Sequence, residues 1–218
     1  MTMHLQRDLD KVRKHLTILG GLVKEITGCS IKLLSSGESG LQTEVDNLEL
    51  AINELEVEIE EECLKILALH QPVAIDLRFI IVVLKVTNDL ERMGDQAVNI
   101  SHRVKAISNQ PELNVELPIA EMGEAVIEMV VASLDCLINQ DVEKAKLVVD
   151  MDARLDSLHA KNFELLRAAV ISNPQAVGTA LSYATVSSNL ERVGDLCTNI
   201  AEEVMFMIDG YIVRHNGY

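Results

Sequence analysis

Apolar residues return at helical spacing through every long segment of the chain, and the breaks in that rhythm coincide with clusters of glycine, proline and serine. The pattern predicts a first helix from near His4, closed by "SSGESG" at residues 35–40, and a second running to about Leu69. Pro72 in "HQPVAIDLR" opens a third, which continues to about Ser108. The segment "NQPELNVELP", residues 109–118, carries two prolines and is the expected linker. A fourth helix then runs to about Asn139, a fifth from Asp141 to about Ser172, and a sixth from Pro174 to about Asp209. The run "FIIVVL" could be a strand if met alone, but its flanks are helical and it is kept inside the third helix. The expected fold is all-α, with six long helices.

Two of these helices contain nearly the same segment. "DLERMGDQAVNI" begins at Asp89 and "NLERVGDLCTNI" at Asn189, a shift of 100 positions. Fainter echoes accompany it: Gly20 and Val23 find Gly123 and Val126 at a shift of 103, and the same shift places Glu49 and Asn53 over Asp152 and Asp156. The repeat unit is therefore three helices, and the expected organisation is two tandem three-helix bundles, residues 1–110 and 111–218.

Composition agrees with this and narrows the function. Hydrophobic residues make up 48 % of the 218 positions but aromatics only 3 %, so the core is built from Leu, Ile, Val, Ala and Met, mostly good helix formers. A formal net charge of −15 argues against gripping nucleic-acid phosphates and suits cations or basic partner surfaces. The stretch "MTMHLQRDLDKVRK" has no signal-peptide core, and the most apolar run is bracketed by Arg78 and Lys85, so a cytoplasmic protein that does not span a membrane is expected. Cys29, Cys63, Cys136 and Cys197 lie far apart without a CxxC pair, and are expected to be small buried hydrophobes in a reducing compartment.

On a helical wheel Leu90, Met93, Ala97, Ile100 and Val104 share one side of the third helix, and Asn88, Glu91, Asp95 and Asn99 the other. The sixth helix copies this with Leu190, Val193, Cys197, Ile200 and Val204 opposite Glu191, Asp195 and Asn199. Gly94 and Gly194 border the apolar side, where a missing side chain lets another helix come close. The duplicated carboxylates thus face away from the core stripe. A solvated face would intersperse lysines, yet nine acidic residues fall between Leu41 and Leu64 without one Lys or Arg. Carboxylates at i and i+4 also repel by a few tenths of a kcal/mol. Stripes of this kind, brought together by packing, call for cations between them, and oxygen ligands suit Mg, Mn, Fe or Zn. Further acidic pairs at this spacing are Glu56 with Glu60 and Asp152 with Asp156. His159 is a candidate nitrogen ligand, though a helix histidine is more often simply half-buried. Arg92 and Arg192 are read as fixing neighbouring carboxylates, with a phosphate contact as the alternative.

The chain resembles the PhoU family from end to end: "GGLVKEI" in the first helix, "QPVAIDLR" opening the third, both "LERxGD" motifs, and the closing "NIAEEVMFMIDGYIVRH". The resemblance implies a cytoplasmic regulator of bacterial phosphate uptake without catalytic activity. It would restrain phosphate-starvation signalling when phosphate is plentiful, linking the phosphate ABC transporter, through its ATPase, to the phosphate-sensing histidine kinase. A homodimer is left open. The resemblance also implies E/DxxxD motifs that bind multinuclear iron or zinc. By position these are Glu91 with Asp95, Glu191 with Asp195, and Asp152 with Asp156. Asn53 stands where the fourth motif, begun by Glu49, would have Asp, so one metal site is expected to hold one negative ligand fewer than the other. Two rival readings are a di-iron carboxylate enzyme, which would place Glu-x-x-His motifs inside a four-helix core, and a metal-free helical scaffold. No Glu in the chain is followed three residues later by His.

Overall fold

The computed structural model describes residues 3–36, 38, 40–107 and 110–210. Its long helices are α1 (Met3–Ser36), α2 (Gly40–His70), α3 (Ala74–Ile107), α4 (Ile119–Asn139), α5 (Val142–Ser172) and α6 (Val177–Asp209), with a single 3-10 turn, Pro174–Ala176, before the last. Among the described residues there is no strand, and "FIIVVL" is helical within α3. The expected helix end at Ser108, the linker residue Asn109 and the closing motif beyond Gly210 lie outside the described residues.

The turns follow from local chemistry. Between α2 and α3 the chain reverses through left-handed backbone at Gln71 and Ala74, with φ of 46° and 50°. Helix α3 therefore starts at Ala74 and not at Pro72, whose ring is buried. Gln140 closes α4 in the left-handed conformation, its N–H donating to the Cys136 carbonyl, and the Asp141 side chain then caps α5 by accepting from the Lys144 N–H at 3.1 Å. At the end of α6, Gly210 takes φ 75° and donates to Phe206 O. The linker is tied down by Thr179, whose hydroxyl donates to the Pro111 carbonyl at 2.6 Å.

The two bundles share one core. Leu19 and Ile26 of α1, Ile52 and Ile59 of α2, Leu90 and Met93 of α3, Met122 and Met129 of α4, Leu155 of α5, and Leu190 and Val193 of α6 are all buried in a single cluster. Helices α3 and α6 form the most extensive contact between the bundles, and α1 and α4 a smaller one. The repeat-related glycines explain the second contact. A Cβ on Gly20 would sit 2.7 Å from Leu134 Cδ2 of α4, and one on Gly123 would sit 2.9 Å from Ile31 Cγ2 of α1, so each helix of the pair yields to a branched side chain of the other. Across α3 and α6, Lys85 Nζ donates to both oxygens of the buried Glu203, at 3.0 and 2.9 Å. Cys63, Cys136 and Cys197 are buried in the core with thiols pushed up to about 12 by burial, and Cys29 is half-buried, so all four are free thiols. Among the described residues no helix is long and apolar enough to cross a membrane.

Candidate functional site

Each "LERxGD" segment lies in the middle of its helix with its glycine turned toward the preceding helix of the same repeat. A Cβ on Gly94 would come within 3.3 Å of Ile52 Cδ1 on α2. One on Gly194 would overlap Leu155 Cδ2 on α5 and lie 3.4 Å from Asp152 Oδ1. The absent side chains let α2 close on α3 and α5 on α6, and that approach carries the acidic residues of one helix against those of the next. The two LERxGD stripes are consequently completed within each repeat, a pairing that the linear sequence left open.

In the second repeat Asp152 is half-buried, and its Oδ1 is shut off from water without a hydrogen-bond partner. Its pKa is pushed up to about 6, first by desolvation and then by the charges of Asp156, Asp195 and Glu191. Glu191 is also raised, by desolvation and by Asp195, with His159 and Arg192 pulling the other way. Asp195 is more exposed, yet partial desolvation and Asp156 raise it as well. The first repeat repeats the logic with different donors. Glu91 is raised by desolvation, then by Asp95, Glu56 and Glu49. Glu56 is raised by desolvation and by Glu60. Asn53 is exposed on the same helix, one turn from Glu49.

The eight sequence-predicted positions therefore fall into two sets. Glu49, Asn53, Glu91 and Asp95 line the α2–α3 face, and Asp152, Asp156, Glu191 and Asp195 the α5–α6 face. Glu49, Glu91, Asp152 and Glu191 are half-buried where the helical wheel suggests open solvent, because the direction opposite the core stripe of α3 or α6 is bordered by the neighbouring helix, while Asn53, Asp95, Asp156 and Asp195 are exposed. Sequence reasoning missed Glu56 as a member of the first set, having paired it along its own helix with Glu60. At the shift of 103 Glu56 corresponds to His159. The first face thus holds carboxylates from Glu49, Glu56, Glu91 and Asp95, and the second those of Asp152, Asp156, Glu191 and Asp195, four on each. The difference that remains is chemical: the second face has an imidazole beside it.

His159 is half-buried, with Nδ1 2.9 Å from Ser187 Oγ and its ring edge-on to Phe163 at 4.9 Å. Ser187 is itself buried, its hydroxyl 3.4 Å from Met122 Sδ, so this Ser–His pair presents no nucleophile to solvent. Arg92 reaches Asp89 at 3.5 Å one turn earlier, as expected of a residue fixing a nearby carboxylate. Position 189 is Asn, so Arg192 lacks that partner and acts on Glu191 and Asp195 through its charge alone.

These acids gather without closing on a point. Among the described residues no group of three or more His, Cys, Asp or Glu side chains is arranged to hold a metal ion as it stands. In chemistry the set nevertheless fits a cation: all-oxygen donors, a desolvated orphan at Asp152 Oδ1, and no lysine or arginine within ion-pair distance of the eight carboxylates among the described residues.

Comparison with known proteins places the whole chain. The family model of the PhoU domain matches twice, at residues 16–104 and 119–204. The chain is 33 % identical to the phosphate-specific transport system accessory protein PhoU homolog of Pseudomonas putida, over all of this chain and 87 % of that protein. It is 34 % identical to the homolog of Aquifex aeolicus, over 98 % of this chain and 96 % of that one, and 27 % identical to PhoU of Escherichia coli, over 96 % and 87 %. The crystal structure of PhoU from Pseudomonas aeruginosa superposes with a TM-score of 0.89 at 33 % identity, covering 94 % of this chain and 99 % of the other. That of the phosphate transport system regulatory protein PhoU from Streptococcus pneumoniae gives 0.86 at 25 % identity, over 96 % and 99 %. With two matched domains, full-length relatives and two structures sharing its six-helix frame, the chain belongs to the PhoU family.

Proposed function

We propose that this protein is a cytoplasmic, non-catalytic regulator of phosphate uptake. It would hold phosphate-starvation signalling down when phosphate is abundant by linking the ATPase of a phosphate ABC transporter to a phosphate-sensing histidine kinase. The observation that carries the reading is the doubled acidic face, set twice into a chain whose relatives along its full length are named accessory proteins of phosphate-specific transport. The bland alternative, a metal-free scaffold, has no use for carboxylates desolvated against one another.

On this reading the two faces hold iron or zinc. The α2–α3 set would bind through Glu49, Glu56, Glu91 and Asp95, with the Asn53 amide oxygen alongside. The α5–α6 set would bind through Asp152, Asp156, Glu191 and Asp195, with His159, one turn beyond Asp156, as a candidate nitrogen ligand. Bound cations would supply the positive charge that offsets repulsion between the stripes and would clamp each helix pair. An all-oxygen set favours harder ions and an imidazole moves preference toward zinc, so the two faces would differ in selectivity more than in charge. The net charge of −15 suits a basic partner patch, so partner binding should weaken with added salt.

Two experiments test this. In a bacterium lacking its own copy, the gene should restore repression of phosphate-starvation genes in phosphate-rich medium, and failure to do so with normal protein levels defeats the regulatory reading. Tag-free protein should carry iron or zinc, and the double variant Asp95→Ala with Asp195→Ala should lose it while remaining helical. An unchanged metal content in that variant removes the site assignment.

A further inference from the structure

We infer that the outer face of α2 is a docking surface for a basic amphipathic helix of a partner protein. Helix α2 buries Val45, Ile52, Ile59 and Ile66 at seven-residue spacing against its own bundle. On the opposite side it carries a second apolar stripe at the same spacing, Leu50, Val57 and Leu64, and these are 63 %, 51 % and 54 % exposed. Seven residues is close to two helical turns, so the three side chains form one seam along about four turns of helix. Single exposed leucines are ordinary, but a seam in register on a helix already fully partnered on its inner face is not needed for folding.

The second repeat provides the control. With the shift of 103 that superimposes the buried positions of α2 on those of α5, Leu50, Val57 and Leu64 correspond to Ala153, Ala160 and Arg167. All three are exposed, and none offers a large apolar side chain. The repeated fold is thus built equally well without the seam, and of these two corresponding helices α2 carries it and α5 does not.

The rim of the seam selects its occupant. Glu54 and Glu58 flank it on one side, Asp46 and Glu60 on the other, and Glu61 lies within it. All are exposed. The nearest lysine, Lys65, is already engaged with Glu62 at 3.2 Å and lies 3.9 Å from Glu61. A second copy of the chain laid on this face would set carboxylates against carboxylates, and an anionic bilayer surface would be repelled in the same way. A helix with leucine-like residues on one stripe and Lys or Arg on either side satisfies both features at once. The surface deepens the reading of the protein as a partner-binding regulator and rests on it only for the existence of a protein partner.

A synthetic helical peptide with leucines at seven-residue spacing and flanking lysines is the probe, with a second peptide in which glutamates replace the lysines. Fluorescence anisotropy at low and high salt should show the basic peptide binding and the acidic one not. The triple variant Leu50→Ser, Val57→Ser, Leu64→Ser should bind the basic peptide at least tenfold more weakly, while Ala153→Ser with Ala160→Ser on α5 should change nothing. Reversal of Glu54, Glu58 and Glu61 to lysine should transfer binding to the acidic peptide. Equal binding of the basic peptide by wild type and the serine triple overturns the inference, since it would then be non-specific charge attraction. So does a dimer, seen by sedimentation, that the serine triple converts to monomer, because the occupant would be a second copy. Melting temperature controls for folding, as the replaced residues are exposed. Peptide binding does not report on phosphate-responsive genes, so its failure leaves the complementation result standing, and the reverse also holds.

Discussion

Replacing Asp152 by Asn should stabilise the metal-free protein at neutral pH and do little in acid. Asp152 Oδ1 is buried without a partner, and its neighbours Asp156, Asp195 and Glu191 are all acidic, so the ionised form is disfavoured in the folded chain. Its pKa rises from 3.8 to about 6. Taken at face value that shift corresponds to about 3 kcal/mol, and the solvent that reaches this partly open face reduces it to about 1–2 kcal/mol. The sign follows from proton binding. Between the unfolded and folded pKa values the native state holds more protons, so stability falls as pH rises through that window and stays low above it. An amide of the same shape carries no such penalty.

In a chain of this length about 1 kcal/mol moves the melting temperature by roughly 2–4 °C. Under chelation, Asp152→Asn should therefore melt about 2–8 °C above wild type at neutral pH, and the two should converge below about pH 4. Far-ultraviolet circular dichroism melts across that range would read it. Adding ferrous iron or zinc should reverse the order, because wild type then gains a ligand that the variant has weakened. A variant that melts lower than wild type at neutral pH under chelation, or an offset independent of pH, would refute the electrostatic reasoning.

The glycines of the two motifs should not be equivalent. Gly194→Ala forces a Cβ onto Leu155, which is fully buried, and should cost about 1–3 kcal/mol in urea unfolding, whereas Gly94→Ala, with a 3.3 Å contact to Ile52, should be near neutral once helix propensity is counted. Lys85→Ala removes both hydrogen bonds given to Glu203, which is only 3 % exposed, and should cost about 2–4 kcal/mol, more than replacing both partners by methionine. In metal titrations Glu56→Gln should weaken the α2–α3 site by an order of magnitude and Asn53→Asp should strengthen it. Indifference to both would take that face out of metal binding.

How much of this was legible in the chain depends on whether a feature is local. The six helices were readable because their ends are marked by residues with strong backbone preferences and their bodies by an unbroken apolar period. Helix α3 starts two residues later than Pro72 suggested, since the chain first turns through left-handed backbone at Gln71 and Ala74, residues that carry no local preference for it in the sequence. The duplicated acids were found from the repeat itself. The half-burial of Glu91 and Glu191 was not, because a helical wheel knows one helix and the space opposite its core stripe belongs to another. Glu56 shows the same gap. Spacing on α2 joins it to Glu60, and only the approach of α3 shows that it also faces Glu91.

The recurrence of glycine between the carboxylates of "ERxGD" then has a physical reason. A bundle of this kind gains stability by bringing Ile52 against α3 and Leu155 against α6, and glycine removes the obstacle to that contact. The same approach drives Glu49 and Glu56 toward Glu91, and Asp152 toward Glu191 and Asp195, raising the proton affinity of several of them. Apolar contact and carboxylate crowding are two consequences of one geometry, and neither can be relaxed without the other. A side chain at position 194 would spread α5 from α6 and rehydrate the acids. Lysine on the stripe would quench the repulsion and, under the proposed metal binding, would compete with the ion. The motif keeps its carboxylates under an electrostatic load that the buried core sustains, and under the proposed metal binding a divalent ion would relieve it.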